Sequence, residues 1–222
     1  MTLFRLDASI NPGQSASRAI ADIVEAEWHQ AHPGDTVIRR HVGTDPLPAD
    51  AWADAVTGAR TPEADRSERQ RAGVALAARL AGELAAADAV LLAVPLYNFG
   101  VSQHIKTWID LVIAAPRDSS KANGTNGAGP LLAGKPTVLV AVRGGAYGAG
   151  TPREGWDHST GYLRRILADV WGAELTVVER EFTLVGVNPA LDQFTELAAQ
   201  MKDGAHATAL EAGRALTAAV AA

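Results

Sequence analysis

Apolar and polar positions alternate along the chain in blocks that predict strands and helices in turn. Residues 89–94 and 137–142 are apolar at nearly every position, which is typical of short strands buried on both faces of a sheet. Shorter apolar segments at 2–6, 35–42 and 174–178 also have the length of strands. The pattern therefore predicts five strands.

Between these strands, apolar residues recur at helical spacing. Ile20, Val24 and Trp28, for example, fall on one helical face before Pro33-Gly34 ends the segment. Thr61-Pro62-Glu63 predicts another helix start, because it combines a capping hydroxyl, a proline at the first helical position and an acid in the first turn. The predicted helices are, in order, 20–31, 49–56, 61–87, 102–114, 157–171 and 189 onward.

Strands that alternate with helices favour a parallel sheet covered by helices. The pattern matches a doubly wound, flavodoxin-like α/β fold, with a five-stranded parallel sheet of order 2-1-3-4-5 and helices on both faces. No internal repeat and no linker composition divides the chain, so we expect residues 1–222 to form a single domain. Ligands of such sheets bind beyond the carboxyl ends of the strands, at the switch point between strands 1 and 3. We therefore expect the segments after strands 1, 3 and 4 to meet in one crevice.

The segment after strand 1, residues 7–17, is rich in serine and leads into the first helix. Ser15 and Ser17 lie where free backbone N–H groups and the positive end of the helix dipole favour an anion. The segment has no Walker-type lysine and no G-x-G-x-x-G pattern, which argues against a nucleoside-triphosphate or Rossmann site. Simple helix capping by one of these serines is the competing interpretation.

The segment Pro95-Leu96-Tyr97-Asn98-Phe99-Gly100 follows the third strand directly. Two aromatic rings and an amide at this edge suit a planar ligand with polar edges, whereas the alternative is a strand-to-helix turn with two core aromatics. After the fourth strand, Arg143-Gly144-Gly145 lets the backbone approach a ligand closely, since glycine has no side chain to exclude it. The same glycine pattern also occurs in ordinary loops.

Composition narrows the possible functions. A formal net charge of -5 without a basic stripe argues against nucleic-acid binding, and no apolar run reaches the roughly 18 residues that span a bilayer. The N-terminus enters a strand pattern without a signal-peptide block, so a cytoplasmic location is expected. The chain has no cysteine, so electron chemistry would need an organic cofactor. His29 and His32 are three residues apart, but no carboxylate triad joins them, and no metal site is expected.

Taken together, these loops resemble those of the FMN-dependent NADH-azoreductase / NADH:quinone oxidoreductase family, over roughly residues 1–180. The residues that carry the resemblance occur in the family's order and spacing, and they are Ser9, Ser15-Ala16-Ser17, Pro95-Leu96-Tyr97-Asn98-Phe99 with Lys106 and Asp110 after it, and Arg143-Gly144-Gly145.

The resemblance implies a homodimeric flavoprotein that takes hydride from NADH or NADPH onto FMN and passes two electrons to a quinone or an azo compound. Because both substrates would use one face of the flavin, ping-pong kinetics are expected. The resemblance assigns the FMN phosphate to Ser9, Ser15, Ala16 and Ser17. It assigns the ring and ribityl chain to Leu96, Tyr97, Asn98 and Phe99, and the pyrimidine end to Val142, Arg143, Gly144 and Gly145.

No side chain is assigned a catalytic role, since the flavin carries the chemistry. The N–H groups of Gly144 and Gly145 are predicted to stabilise the negative charge of the reduced ring. A quinone can take its protons from water or from a nearby group such as Tyr147 or His158.

The chain departs from the resemblance at 117–124, which lacks the aromatic-bearing stretch of bacterial azoreductases, and at 183–189. The first departure predicts a different substrate lid. A flavodoxin-type electron carrier and a flavin-binding module without turnover are the alternative functions, and the mild net charge argues against the carrier. A hydrolase has less support, because residues 13–17 lack the closing glycine of a nucleophile elbow.

Overall fold

The structure, a computed structural model, describes residues 1–116 and 130–221 and contains a five-stranded sheet in the order β2-β1-β3-β4-β5. All neighbouring strands are parallel. The strands are β1 (Thr2–Asp7), β2 (Thr36–His41), β3 (Ala89–Pro95), β4 (Pro136–Val142) and β5 (Glu174–Arg180). The predicted strand order and flavodoxin-like topology are confirmed.

Six α-helices connect or follow these strands in the described part of the chain. They are α1 (Ala16–Ala31), α2 (Ala51–Arg60), α3 (Glu68–Ala86), α4 (Gln103–Ala114), α5 (Thr160–Arg164) and α6 (Thr195–Ala221). Short 3-10 turns occupy Glu63–Asp65 and Pro189–Phe194, and α5 continues as a π-helical turn over Arg165–Val170.

Two apolar layers flank the sheet, because successive side chains of a buried strand point to opposite faces. On one face, Leu3 and Leu91 belong to a buried cluster with residues of α1 and α6. On the other face, Phe4 and Leu92 belong to a cluster with residues of α2, α3, α4 and α5. The helices therefore cover both faces, as predicted.

The predicted start of α3 at Thr61 is wrong. Helix α3 begins after Ser67, whose Oγ accepts a hydrogen bond from the Gln70 N–H at 3.2 Å, while Gln70 Oε1 accepts from the Ser67 N–H at 2.9 Å. This reciprocal capping box satisfies two N–H groups that a helix start leaves open. Thr61 instead caps the end of α2.

Two later helices also start further along the chain than predicted. The Asp157 carboxylate accepts the N–H groups of Ser159 and Thr160 at 2.8 and 2.9 Å, so Asp157 lies before α5 rather than in it. Pro189 opens a 3-10 turn, and α6 follows only from Thr195.

The strand register brings three carboxyl ends to one edge of the sheet. Asp7 of β1 lies beside Ala93 of β3, and Pro95 of β3 lies beside Val142 of β4. The segments after these three strands therefore start together. Residues 117–124, where the chain departs from the family pattern, lie outside the described residues. None of the helices within 1–116 and 130–221 has the length and hydropathy that crossing a membrane requires.

Candidate functional site at the carboxyl edge of the sheet

The segment after β1 ends in a capped helix start. Ser15 is the N-cap of α1 and accepts the Arg18 N–H at 3.2 Å, and its hydroxyl lies 3.2 Å from that of Ser17. The predicted capping is therefore present. The N–H groups of Ala16 and Ser17 have no acceptor among the described residues, and α1 is 16 residues long. Capping and anion binding are compatible here, because these two donors point out of the helix start.

The segment after β3 forms a tight turn with unusual backbone angles. The N–H and carbonyl groups of Tyr97 and Gly100 exchange hydrogen bonds of 3.2 and 3.0 Å. The two central residues, Asn98 and Phe99, have φ values of 47° and 68°. A left-handed backbone is ordinary for asparagine but costly for phenylalanine, so the surrounding structure must hold Phe99 in place. Its side chain is 39% exposed, which rules out the alternative of two core aromatics.

Hydrogen bonds join the three strand-end segments directly. The Tyr97 hydroxyl lies 3.4 Å from the Ser9 hydroxyl and accepts the Ile10 N–H at 3.3 Å. The Leu96 N–H donates to the carbonyl of Val142 at 2.8 Å. The segments after β1, β3 and β4 are thus one connected surface, as the strand order predicts.

The glycine pair after β4 is approached by the segment that follows β5. The Leu184 N–H donates to the Gly144 carbonyl at 3.1 Å, and a Cβ added to Gly144 would lie 2.6 Å from Leu184 Cδ1. Position 144 therefore accommodates only glycine without displacing Leu184. Within the described residues, the N–H groups of Gly144 and Gly145 donate to no acceptor, although Gly145 itself is buried.

These segments enclose a cavity of about 360 Å³, within the range of small-molecule sites. The predicted site residues that line it are Ser9, Ser15, Ala16, Ser17, Leu96, Tyr97, Val142 and Gly144. The lining residues that the sequence analysis did not assign to the ligand are Ile10, Asn11, Gln14, Pro95, Thr183, Leu184 and Val187.

The other four predicted residues lie beside the cavity or point away from it. Asn98 and Phe99 occupy the adjoining turn, and Gly145 lies next to the Gly144 wall. The Arg143 side chain is buried. Its Nε lies 2.5 Å from Asp157 Oδ2, and its Nη1 lies 2.9 Å from Glu179 Oε2. Burial disfavours its charge, but these two carboxylates outweigh that effect and raise the pKa of Arg143. Its guanidinium therefore ties β4 to the segment before α5 and does not face the cavity.

A cluster of three rings lies next to Gly145, and we call it the aromatic corner: Phe99, Tyr147 and Trp156. The ring of Phe99 meets those of Tyr147 and Trp156 edge-on, with centroid distances of 6.4 and 5.5 Å. The Arg153 guanidinium lies over two of these rings, 5.9 Å from the Phe99 centroid and 5.8 Å from the Tyr147 centroid. The sequence showed Tyr147 only as a possible proton donor and gave no signal for the other contacts.

Gly43 is a further residue that sequence reasoning missed. A Cβ at this position would lie 2.2 Å from the carbonyl oxygen of Ser9, which is backbone and cannot rotate away. Gly43 directly follows the predicted strand 2, whose carboxyl end lies beside that of strand 1. A glycine at that edge is the signal that could have identified it.

Comparisons with known proteins agree with this architecture. A family model for the flavodoxin-like fold matches residues 1–205. The FMN-dependent NADH:quinone oxidoreductase of Frankia alni is 37% identical over 195 residues, which cover 88% of this chain and 90% of that protein. The protein of the same name from Streptomyces coelicolor is 36% identical over 220 residues, covering 97% and 95%.

Solved structures share the fold. An azoreductase from Bacillus anthracis aligns with a TM-score of 0.76 at 22% identity, covering 97% of this chain and 99% of that one. An FMN-dependent NADH-azoreductase from the same species, in complex with FMN, aligns with a TM-score of 0.70 at 16% identity, covering 96% and 100%. The resemblance predicted from the loops is confirmed, and the chain belongs to the flavodoxin-like family of FMN-dependent NADH:quinone oxidoreductases.

Proposed function

We propose that the cavity binds FMN and that the protein uses it to oxidise NADH and to reduce quinones. The main support for this proposal is that three separate strand-end segments meet around one cavity. Backbone N–H groups of these segments have no acceptor among the described residues. The names of the relatives at 36–37% identity support the same activity.

The first segment suits a phosphate. Ser9, Ser15 and Ser17 offer hydroxyl groups, and the N–H groups of Ala16 and Ser17 stand open at the positive end of α1. Their side chains are small and leave room for a phosphate. We assign the FMN phosphate to these four residues.

The other two segments suit a flat ring with polar edges. Leu96 and Tyr97 line the cavity, and Asn98 and Phe99 extend this surface along the turn. Val142 and Gly144 also line the cavity, and the missing side chain of Gly144, together with the unpaired N–H groups of Gly144 and Gly145, suits the edge of a ring. Arg143 contributes its backbone here, since its side chain is held by Asp157 and Glu179.

Bound FMN supplies the redox chemistry by accepting a hydride from NADH and giving two electrons to the acceptor. The chain's part is to hold the ring and to place donors where negative charge forms. Each hydrogen bond from Gly144 or Gly145 to a charged edge would contribute about 1.5–3 kcal/mol. Water, Tyr147 or His158 supplies protons to the quinone. His158 is exposed, and its backbone N–H donates to the Phe99 carbonyl at 2.9 Å, which keeps it near the aromatic corner.

We further propose a homodimer of single-domain chains, residues 1–222, that works in the cytoplasm. Exposed apolar side chains at the cavity support the dimer, since Ile10, Leu184 and Val187 are 57%, 44% and 72% exposed in the single chain. NADH or NADPH serves as the hydride donor. Azo compounds are proposed as additional acceptors, supported by the names of the structural neighbours.

Two measurements test the function against a flavodoxin-type carrier and a silent flavin-binding module. Purified protein is incubated with FMN, desalted and scanned for flavin absorbance, and NADH oxidation is then followed with and without benzoquinone. The proposed enzyme retains flavin and oxidises NADH much faster with benzoquinone. Retained flavin without NADH oxidation would instead identify a carrier or a binding module.

A further inference from the structure

Arg153 is an exposed cation without an ionic partner in the described part of the chain. Its Nη1 donates to the Tyr147 hydroxyl at 3.3 Å, and its guanidinium lies over the faces of the Phe99 and Tyr147 rings. Among residues 1–116 and 130–221, no carboxylate lies within 4.0 Å of it. By contrast, Arg143 and Arg165 each pair with an aspartate. The positive charge of Arg153 is therefore free to meet an anion.

Two rings of the aromatic corner are unusually accessible. Phe99 and Trp156 are 39% and 51% exposed, although such rings usually gain stability by burial. Phe99 also sits in a left-handed backbone conformation, which costs energy and persists only where the structure enforces it. Strain of this kind concentrates at ligand sites.

Several contacts hold the aromatic corner in place. The Tyr147 N–H donates to Glu181 Oε1 at 2.8 Å, and the His158 N–H donates to the Phe99 carbonyl at 2.9 Å. The segment that carries Trp156 is thus attached to the turn that carries Phe99. The corner is a fixed surface rather than a chance contact of exposed side chains.

The aromatic corner adjoins the proposed FMN site. A Cβ placed on Gly145 would lie 3.6 Å from Arg153 Nη1 and 3.9 Å from the Tyr147 ring. Arg153 and Tyr147 therefore pack against Gly145, directly beside the Gly144 wall to which the ring edge is assigned.

We propose that the aromatic corner and Arg153 bind the electron acceptor, and that they select planar aromatic quinones that carry a sulfonate or carboxylate group. This inference rests on the proposed function. Exposed rings pack against a flat aromatic acceptor, and a planar guanidinium matches the geometry of an oxyanion. The acceptor takes up two electrons and two protons at its quinone oxygens, and its anionic group is unchanged.

The test compares 1,4-naphthoquinone with 1,4-naphthoquinone-2-sulfonate, using FMN-loaded protein and saturating NADH. The ratio of kcat/KM for the sulfonated quinone to that for the neutral quinone is measured in each variant, so that the intrinsic reactivity of the two quinones cancels. In Arg153→Gln we expect this ratio to fall about tenfold, mainly through KM for the sulfonated quinone. Arg153→Lys should retain part of the preference, because it keeps the charge but loses the planar fork.

Arg165→Gln is the matched control, since it removes the same charge from an exposed arginine that pairs with Asp169. Its ratio should equal that of the unmodified protein. Raising the ionic strength from about 0.05 to about 0.5 M should lower the ratio in the unmodified protein but not in Arg153→Gln. An unchanged ratio in Arg153→Gln, or an equal fall in Arg165→Gln, would overturn the proposal.

A binding measurement separates this inference from the proposed function. Equilibrium dialysis with naphthalene-2-sulfonate, which cannot be reduced, should show weaker binding to Arg153→Gln than to the unmodified protein or Arg165→Gln. If no variant reduced either quinone, the proposed function would fail, and the dialysis would still decide whether Arg153 selects anionic aromatics. Equal binding to all three proteins would overturn the inference.

Discussion

The hydroxyl of Tyr97, after β3, lies 3.4 Å from the hydroxyl of Ser9, after β1, although 88 positions separate the two residues. The same Tyr97 oxygen accepts the Ile10 N–H at 3.3 Å. One phenol therefore connects the segment assigned to the phosphate with the segment assigned to the ring. This contact explains how two distant stretches of sequence can form one binding site.

Replacing Tyr97 with phenylalanine removes this connection while keeping the ring. Because the net value of such a hydrogen bond is about 0.5–1.5 kcal/mol, we expect FMN to bind about 2- to 12-fold more weakly. Quenching of flavin fluorescence during titration measures the affinity. Tyr162→Phe is the control, since Tyr162 lies in α5 among core residues, and its FMN affinity should not change. Equal affinities in all three proteins would show that the Tyr97 hydroxyl does not contribute to FMN binding.

Gly43 determines whether the first segment can keep its shape. A Cβ would meet the Ser9 carbonyl oxygen at 2.2 Å, so Gly43→Ala must displace the backbone of the proposed phosphate site. We expect a loss of stability of about 1–3 kcal/mol and weaker FMN binding, measured by urea unfolding and by titration. Gly82→Ala, inside α3 where the new Cβ would meet nothing within 4 Å beyond the adjacent backbone of its own helix, should instead stabilise the protein by up to about 1 kcal/mol. A Gly43→Ala protein as stable as the unmodified one would contradict this account.

The strands and their order were predictable because they depend on local patterns and on a topology rule. The six apolar residues before Pro95 and the run before Arg143 leave few alternatives to buried parallel strands. The order of the sheet then brings the segments after β1, β3 and β4 together without any knowledge of side-chain contacts.

Features that depend on tertiary contacts were not predictable. Leu184 covers Gly144, and Gly43 abuts Ser9, but neither pair shares a periodic pattern in the sequence. Arg143 follows β4, as the sequence predicts. The direction of its side chain was not predictable, because the ion pairs with Asp157 and Glu179 determine it. The start of α3 was missed because Thr61 and Ser67 both satisfy the local rules for a cap, and only Ser67 forms a reciprocal capping box with Gln70.

A buried ionic network next to the first segment should control stability at low pH. Arg5 lies between Asp7 and Glu25, and all three side chains are buried. Burial alone would raise the pKa of Glu25, but hydrogen bonds from Arg39 and Arg5 outweigh it and lower the pKa from 4.5 to about 2. A lowered pKa means that Glu25 stabilises the fold fully above about pH 4.5 and loses this contribution as the pH falls toward 2.

Glu25→Gln should therefore destabilise the protein by about 3 kcal/mol at neutral pH, since it leaves Arg5 and Arg39 short of a partner. The difference in the free energy of unfolding between this variant and the unmodified protein should narrow as the pH falls from about 4.5 to about 2. Urea unfolding at several pH values measures this difference. Glu27→Gln is the control on the same helix. Glu27 pairs with Arg214, which is 70% exposed, so the expected loss is below about 1 kcal/mol. A constant difference across this pH range would show that Glu25 is not the group responsible.

Asn98 lies at the turn beside the proposed ring site, with φ of 47°. Aspartate also tolerates this backbone conformation, so Asn98→Asp changes the charge and the donor but not the turn. We expect FMN affinity to fall about tenfold to a hundredfold, because the amide that we assign to the ring becomes a negative charge. Asn98→Gly keeps the turn without the charge and should give a smaller loss. If Asn98→Asp binds FMN as tightly as the unmodified protein, Asn98 does not face the ring.

The retention of FMN by the purified protein tests the central claim most directly. The protein is incubated with excess FMN, desalted, and its flavin content is measured by visible absorbance against protein concentration. We predict close to one FMN per chain, and a lower content in Gly43→Ala prepared in parallel. Protein that emerges without flavin absorbance would contradict the claim that the three segments form an FMN site.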